Sequence, residues 1–109
     1  MRDDTLLGAF EEQVLLAVVR TGDQAFGMNV RREIEAVTGR DVAIGAVYAT
    51  LDRLEAKRFV RSFRASPDGR ERRMFALTRS GAVALTESRA VRERMWRGLS
   101  SSKLLEAHG

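Results

Sequence analysis

Val42-Ala43-Ile44-Gly45-Ala46-Val47-Tyr48-Ala49-Thr50-Leu51-Asp52-Arg53-Leu54-Glu55-Ala56 is the stretch on which the fold of this chain turns. Ile44, Val47, Leu51 and Leu54 recur at steps of three, four and three, which puts them in one apolar stripe of an amphipathic helix. The opposite face is unusual. Gly45, Ala46 and Ala49 leave its first turns almost bare, Asp52, Arg53 and Ala56 follow, and Tyr48 stands on the flank. A helix that needed only solubility would carry Lys and Glu there. A face cut down to small residues lets the backbone approach a surface closely. That surface is either a second helix or the floor of a DNA major groove. The helix alone does not choose between them.

Upstream, Leu7, Phe10, Val14 and Val18 repeat the same steps, with Leu6, Leu15, Leu16, Ala17 and Val19 widening the stripe. This predicts a first helix over 6–20, buried on more than one side and closed at Gly22. A second helix is expected over 27–38, with Val30, Ile34 and Val37 inward and Gly39 as its stop. Arg40-Asp41-Val42 reads as a connector containing one or two residues of strand, and the opening helix then runs over 44–57.

Beyond Lys57 the period changes to two. Phe59–Ala65 and Arg72–Leu77 alternate like strands, and Ser66-Pro67-Asp68-Gly69 between them is turn chemistry, so the pair reads as a β-hairpin. Its charges are Arg64, Asp68, Arg70, Glu71, Arg72 and Arg73. An excess of Arg at a protruding tip suits a phosphate backbone or a narrow minor groove, although a solvated hairpin would also be polar. Thr78 is placed to cap a long last helix. Leu85, Val91, Met95, Trp96 and Leu99 on that helix are more apolar surface than so small a domain buries by itself, so they are expected at a dimer interface.

The totals set limits on function. The 109 residues suffice for one small domain, and 44% apolar with 31% charged content describes a folded chain. The net charge of +4 suits a polyanionic partner without requiring one. There is no cysteine and a single histidine, His108, so thiol chemistry and thiolate metal sites are excluded and no cofactor is expected. Neither a membrane-length apolar run nor a signal-peptide pattern is present, and a cytoplasmic location, on the nucleoid when DNA-bound, is expected. No pattern points to an enzyme.

Three helices followed by a two-stranded hairpin define a winged helix-turn-helix. The expected class is therefore α+β, mostly α, with three helices and a two-stranded wing in residues 1–78. A C-terminal dimerisation helix follows over 79–100, and a disordered tail over 101–109. Two uses compete: reading double-stranded DNA, or a winged helix that contacts only another protein. Binding that collapses with added salt separates the first from the second.

The chain resembles the PadR family of transcriptional regulators. The resemblance rests on Leu7-Gly8, Phe26-Gly27-Met28, the run Gly45–Glu55 and the run Asp68-Gly69-Arg70-Glu71-Arg72-Arg73-Met74-Phe75-Ala76-Leu77-Thr78-Arg79-Ser80-Gly81. It spans about residues 6 to 99 and is closest to the short subfamily with one long C-terminal helix. Phe26, Ala46 and Met74 depart from the family's usual His, Thr or Ser, and Tyr; the missing hydroxyl at Ala46 removes one phosphate contact from the family's set. The resemblance implies a homodimeric bacterial repressor on an inverted-repeat operator. By position it implies DNA contacts from Gly45, Ala46, Tyr48, Ala49, Arg53, Arg70, Arg72 and Arg73. It also implies a small aromatic effector near Leu6, Phe10, Met95 and Trp96.

Overall fold

The computed structural model describes residues 7–108. Helix α1 spans Ala9–Thr21, α2 Gly27–Thr38 and α3 Ile44–Ala56; strands β1 Val60–Ala65 and β2 Arg72–Leu77 follow, then α4 Arg79–Trp96 and α5 Ser101–His108. This is the mostly helical α+β winged-helix architecture that the periodicities predict. Leu6 lies outside the described residues.

The core is built where the stripes meet. Val14, Leu15 and Val18 of α1, Val30 and Ile34 of α2, and Val47, Leu51 and Leu54 of α3 are all buried, joined by Val60, Phe75 and Ala84. Burying each such side chain contributes about 1.5–3 kcal/mol, which is why three short helices hold together. Gly39 ends α2 in the left-handed conformation (φ 72°), its N–H donating to the Glu35 carbonyl. Arg58 (φ 66°), a non-glycine residue in the left-handed region, makes the tight reversal from α3 into β1.

The hairpin is antiparallel, with Val60 opposite Leu77, Ser62 opposite Phe75 and Ala65 opposite Arg72. One face, bearing Val60 and Phe75, closes on the helices. Its base is pinned on the other edge, where Phe26 bridges Met74 and the Phe75 N–H donates to the Ala25 carbonyl at 2.9 Å. The strand residues expected at 40–42 are absent: this segment is irregular, and residues 25–26 pair with β2 in its place. Hydrogen bonding explains the exchange, because Glu35 Oε2 accepts the Val42 N–H at 2.9 Å and so satisfies the connector's backbone without a ladder.

Thr78 caps α4, its hydroxyl accepting the Gly81 N–H at 3.0 Å. Two expectations are corrected beyond it. Residues 101–108 form α5 rather than an unstructured tail, the chain turning at Gly98 (φ 79°) between the two helices. Ser100 supplies the start of α5, since its side chain accepts the Lys103 N–H at 3.2 Å. Helix α1 is buried on one side only, for Leu16 and Val19 are exposed.

Candidate nucleic-acid interface

The helical face that is bare in sequence is open in the structure. Gly45, Ala46, Ala49, Asp52, Arg53 and Ala56 are exposed, and an added Cβ at Gly45 would meet nothing within 4 Å. Val47, Thr50, Leu51 and Leu54 anchor the same helix from behind, so its position is fixed by the core and its small face is free.

Tyr48 flanks this face and is 37% exposed. Its ring lies across the first residue of α2: a Cβ on Gly27 would fall 2.3 Å from Tyr48 Cζ and 2.5 Å from the hydroxyl oxygen. Gly27 is therefore the residue that lets the phenol lie flat there. The tyrosine packs on α2, with the hydroxyl at the α2 N-terminus.

The wing arginines do three different things. Arg70 is exposed at the tip, its backbone N–H donating to Asp68 Oδ1 at 3.3 Å. Arg72 reaches back to the hairpin turn: Nη2 donates to Asp68 Oδ2 at 2.8 Å, and the guanidinium stacks 4.1 Å from the centroid of the Phe26 ring. The Asp68 hydrogen bond raises the Arg72 pKa, and Arg72 in turn, as the first cause, holds the Asp68 carboxyl below its ordinary range. Arg73 points to the opposite face of the strand. It stacks on Phe75 at 4.8 Å and pairs with two carboxylates of α3, Nη1 with Asp52 Oδ1 at 3.0 Å and Nη2 with Glu55 Oε1 at 2.7 Å.

Arg53 is also partly engaged. Its Nη2 donates to the Thr50 hydroxyl at 3.1 Å, and its Nε lies 3.7 Å from Glu11 Oε2. Glu11, buried at the start of α1, accepts from Lys57 Nζ at 2.9 Å and from the Gly8 N–H at 2.9 Å. Burial pushes its pKa up, but the Gly8 hydrogen bond, Lys57 and Arg53 outweigh this and hold it below the ordinary glutamate range. Glu11 and Glu55 are the participants that sequence reasoning missed. Each sits on a helix as an unremarkable charge, and only the tertiary approach of a basic side chain distinguishes it.

Of the residues expected at a dimer interface, Leu85, Val91, Met95 and Trp96 lie on α4, whereas Leu99 follows it, because the helix ends at Trp96 and not at residue 100. Leu85 is half-buried against the core, while Val91, Met95 (74% exposed), Trp96 (57%) and Leu99 are open. An ion pair from Arg92 to Glu12 ties α4 to α1. The grouping expected for an effector is not assembled within one protomer. Phe10 lines a cavity of about 330 Å³ with Ile34, Val42 and Ala46. Glu12 and Leu16, elsewhere on α1, line the cleft against Leu85 and Arg92 of α4. Among the described residues, no His, Cys, Asp or Glu cluster is arranged to hold a metal, and no helix is long and apolar enough to cross a membrane.

Comparison with known proteins agrees with this geometry. The model of the transcriptional regulator PadR-like family matches residues 15–87. Transcriptional regulator Rv3488 of Mycobacterium tuberculosis is 42% identical over 59 residues, 54% of this chain and 55% of the relative's own length. The chain thus spans about half the length of the curated relative it matches. Among solved structures, RosR of H. salinarum superposes with a TM-score of 0.67 at 24% identity, over 98% of this chain and 89% of that one. A PadR family transcription regulator from Clostridium difficile R20291 does so with a TM-score of 0.63 at 18% identity, over 92% and 98%. The last two likenesses concern the fold. The protein belongs to the PadR-like family of transcriptional regulators.

Proposed function

We propose that this chain binds double-stranded DNA as a homodimer and represses transcription by occupying an inverted-repeat operator. The observation that carries the reading is a core-anchored helix whose outward face is nearly bare, with Tyr48 and an arginine-bearing hairpin beside it. In this arrangement α3 enters the major groove. Gly45, Ala46 and Ala49 permit close approach, and Arg53 stands at the groove side. Tyr48, Arg70 and Arg72 lie where the phosphate backbone passes and position the protein without specifying sequence. A protein-only winged helix has no need of a bare α3 face beside cationic side chains.

Two copies associate through α4 and the link after it, where Val91, Met95, Trp96 and, beyond the helix end, Leu99 leave uncovered apolar surface. A two-fold dimer matches half-sites about one helical turn, or 10 base pairs, apart. Met95 and Trp96 are also the side chains that a small aromatic effector would meet. Such a ligand loosens the DNA grip only if it fits one dimer geometry better than the other. Trp96 is the sole tryptophan, so saturable quenching that coincides with operator release supports this arm. Unchanged emission across a panel of planar compounds makes the protein a ligand-independent repressor.

Selection from random duplex DNA with the purified protein tests the main reading. An enriched inverted repeat is expected. Recovery of no sequence, with no retardation of any pool, contradicts it.

A further inference from the structure

The three wing arginines form one run in sequence, but Arg73 is committed elsewhere. Its guanidinium is held by Asp52 at 3.0 Å and by Glu55 at 2.7 Å, both on α3. Glu55 Oε2 is occupied as well, accepting the Ser62 hydroxyl at 2.6 Å and the Ser62 N–H at 3.2 Å. One carboxylate therefore grips both strands of the wing, β1 at Ser62 and β2 at Arg73, from the last turn of α3. Phe75, buried under the Arg73 guanidinium, completes the layer. Two carboxylates around one guanidinium leave a local charge of −1, a poor anchor for a phosphate.

We propose that Glu55 and Arg73 are positioning residues that fix the angle of the wing against α3, so that Arg73 acts on DNA through the wing's placement and not by contacting a phosphate. This rests on the DNA-binding reading above. A fixed wing angle matters because the α3 contacts and the wing contacts must meet the same duplex at once. A wing free to pivot would lose affinity to the cost of ordering it on binding. Arg is suited to this place and Lys is not, since the planar fork pairs with Asp52 and Glu55 together while an ammonium cannot.

The test measures operator affinity of the full chain across salt concentrations by fluorescence anisotropy, for the wild type, Arg70→Ala, Arg73→Ala, Arg73→Lys, Glu55→Gln and the Arg73→Ala/Glu55→Gln double variant. Thermal melts confirm that each is folded. Removing a phosphate contact lowers the slope of log affinity against log salt by about one; each substitution occurs twice in the dimer, so a fall of about two is expected for Arg70→Ala. Arg73→Ala and Glu55→Gln are each expected to weaken binding about three- to thirtyfold with the slope unchanged, and the double variant to be no weaker than the worse single. Arg73→Lys should not restore affinity. In the free protein, amide exchange at Ser62 should quicken in Glu55→Gln and in Arg73→Ala, a readout that survives even if one variant is unstable.

A slope lowered by about two in Arg73→Ala, rescue by Arg73→Lys, or additive effects of the two substitutions would each overturn the proposal in favour of a direct phosphate contact or of independent roles. Wild-type protein that binds no DNA defeats the functional reading itself, and this proposal with it, and is recognised before any variant is compared.

Discussion

A Cβ on Gly27 would stand 2.3 Å from the Tyr48 ring, so Gly27→Ala must displace the phenol. The ring is partly exposed and has somewhere to go, so the fold should survive with little change in Tm while the tyrosine leaves its place beside the α2 N-terminus. Operator affinity should fall roughly tenfold, the worth of one well-placed hydrogen bond to a charged group, with sequence preference unchanged. Unaltered affinity would remove Tyr48 from the interface. Glu55 gives a second prediction at this scale. The Ser62 hydroxyl hydrogen bond first, and then Arg73, hold its pKa below the ordinary glutamate value against the opposing effect of burial. A carboxylate with a lowered folded pKa contributes stability that is present above its unfolded value, near pH 4, and is lost as the pH falls through the folded value. The urea midpoint should therefore hold from about pH 7 to 5 and decline below about 4. Glu55→Gln should be less stable at neutral pH and show a shallower decline; a decline as steep as the wild type's would contradict the assignment. The identities of the wing arginines were legible in the sequence, but their division of labour was not. Strand alternation sends Arg72 and Arg73 to opposite faces, and the run of like charges conceals this. The acidic partners that settle their roles come from α3 and from the turn.

The element boundaries were largely visible, because each helix carries its own stripe and stop. The prediction of α2 over 27–38 coincides with Gly27–Thr38, and β2 over 72–77 with Arg72–Leu77. What misled was local propensity without tertiary context. Arg40–Val42 had strand character, yet Ala25 and Phe26 took the edge of β2, since Glu35 had already satisfied the connector's backbone. Serines at 100–102 looked like a terminus but open α5. Gly81, which the sequence offers only as part of the first turn of α4, is a packing requirement. A Cβ there would come 2.2 Å from the Phe59 carbonyl oxygen, a backbone atom that cannot swing aside. Gly81→Ala should therefore destabilise the fold by about 1–3 kcal/mol, the usual cost of overpacking, despite the better helix propensity of alanine. A denaturant melt measures this, and wild-type stability would contradict the close packing of α4 on the β1 entry.

At the scale of the whole molecule, the winged helix is self-sufficient and α4 is not. The apolar face from Val91 to Leu99 was legible as an excess that a small domain does not bury, and it stands uncovered in the protomer. The choice of what covers it depends on a second chain, which no single sequence displays. Truncation after Thr78 should yield a monomer or an aggregate with sharply weakened operator binding, as sedimentation and anisotropy would show. A stable truncated monomer with full affinity would contradict the dimer.

The central claim is that paired α3 helices and wings grip a phosphate backbone, and the salt dependence of binding tests it most directly. A dimer neutralising roughly six phosphates should lose on the order of a thousandfold in operator affinity between 50 and 200 mM salt, with two protomers bound per duplex. Affinity indifferent to salt, or one protomer per operator, would contradict the account.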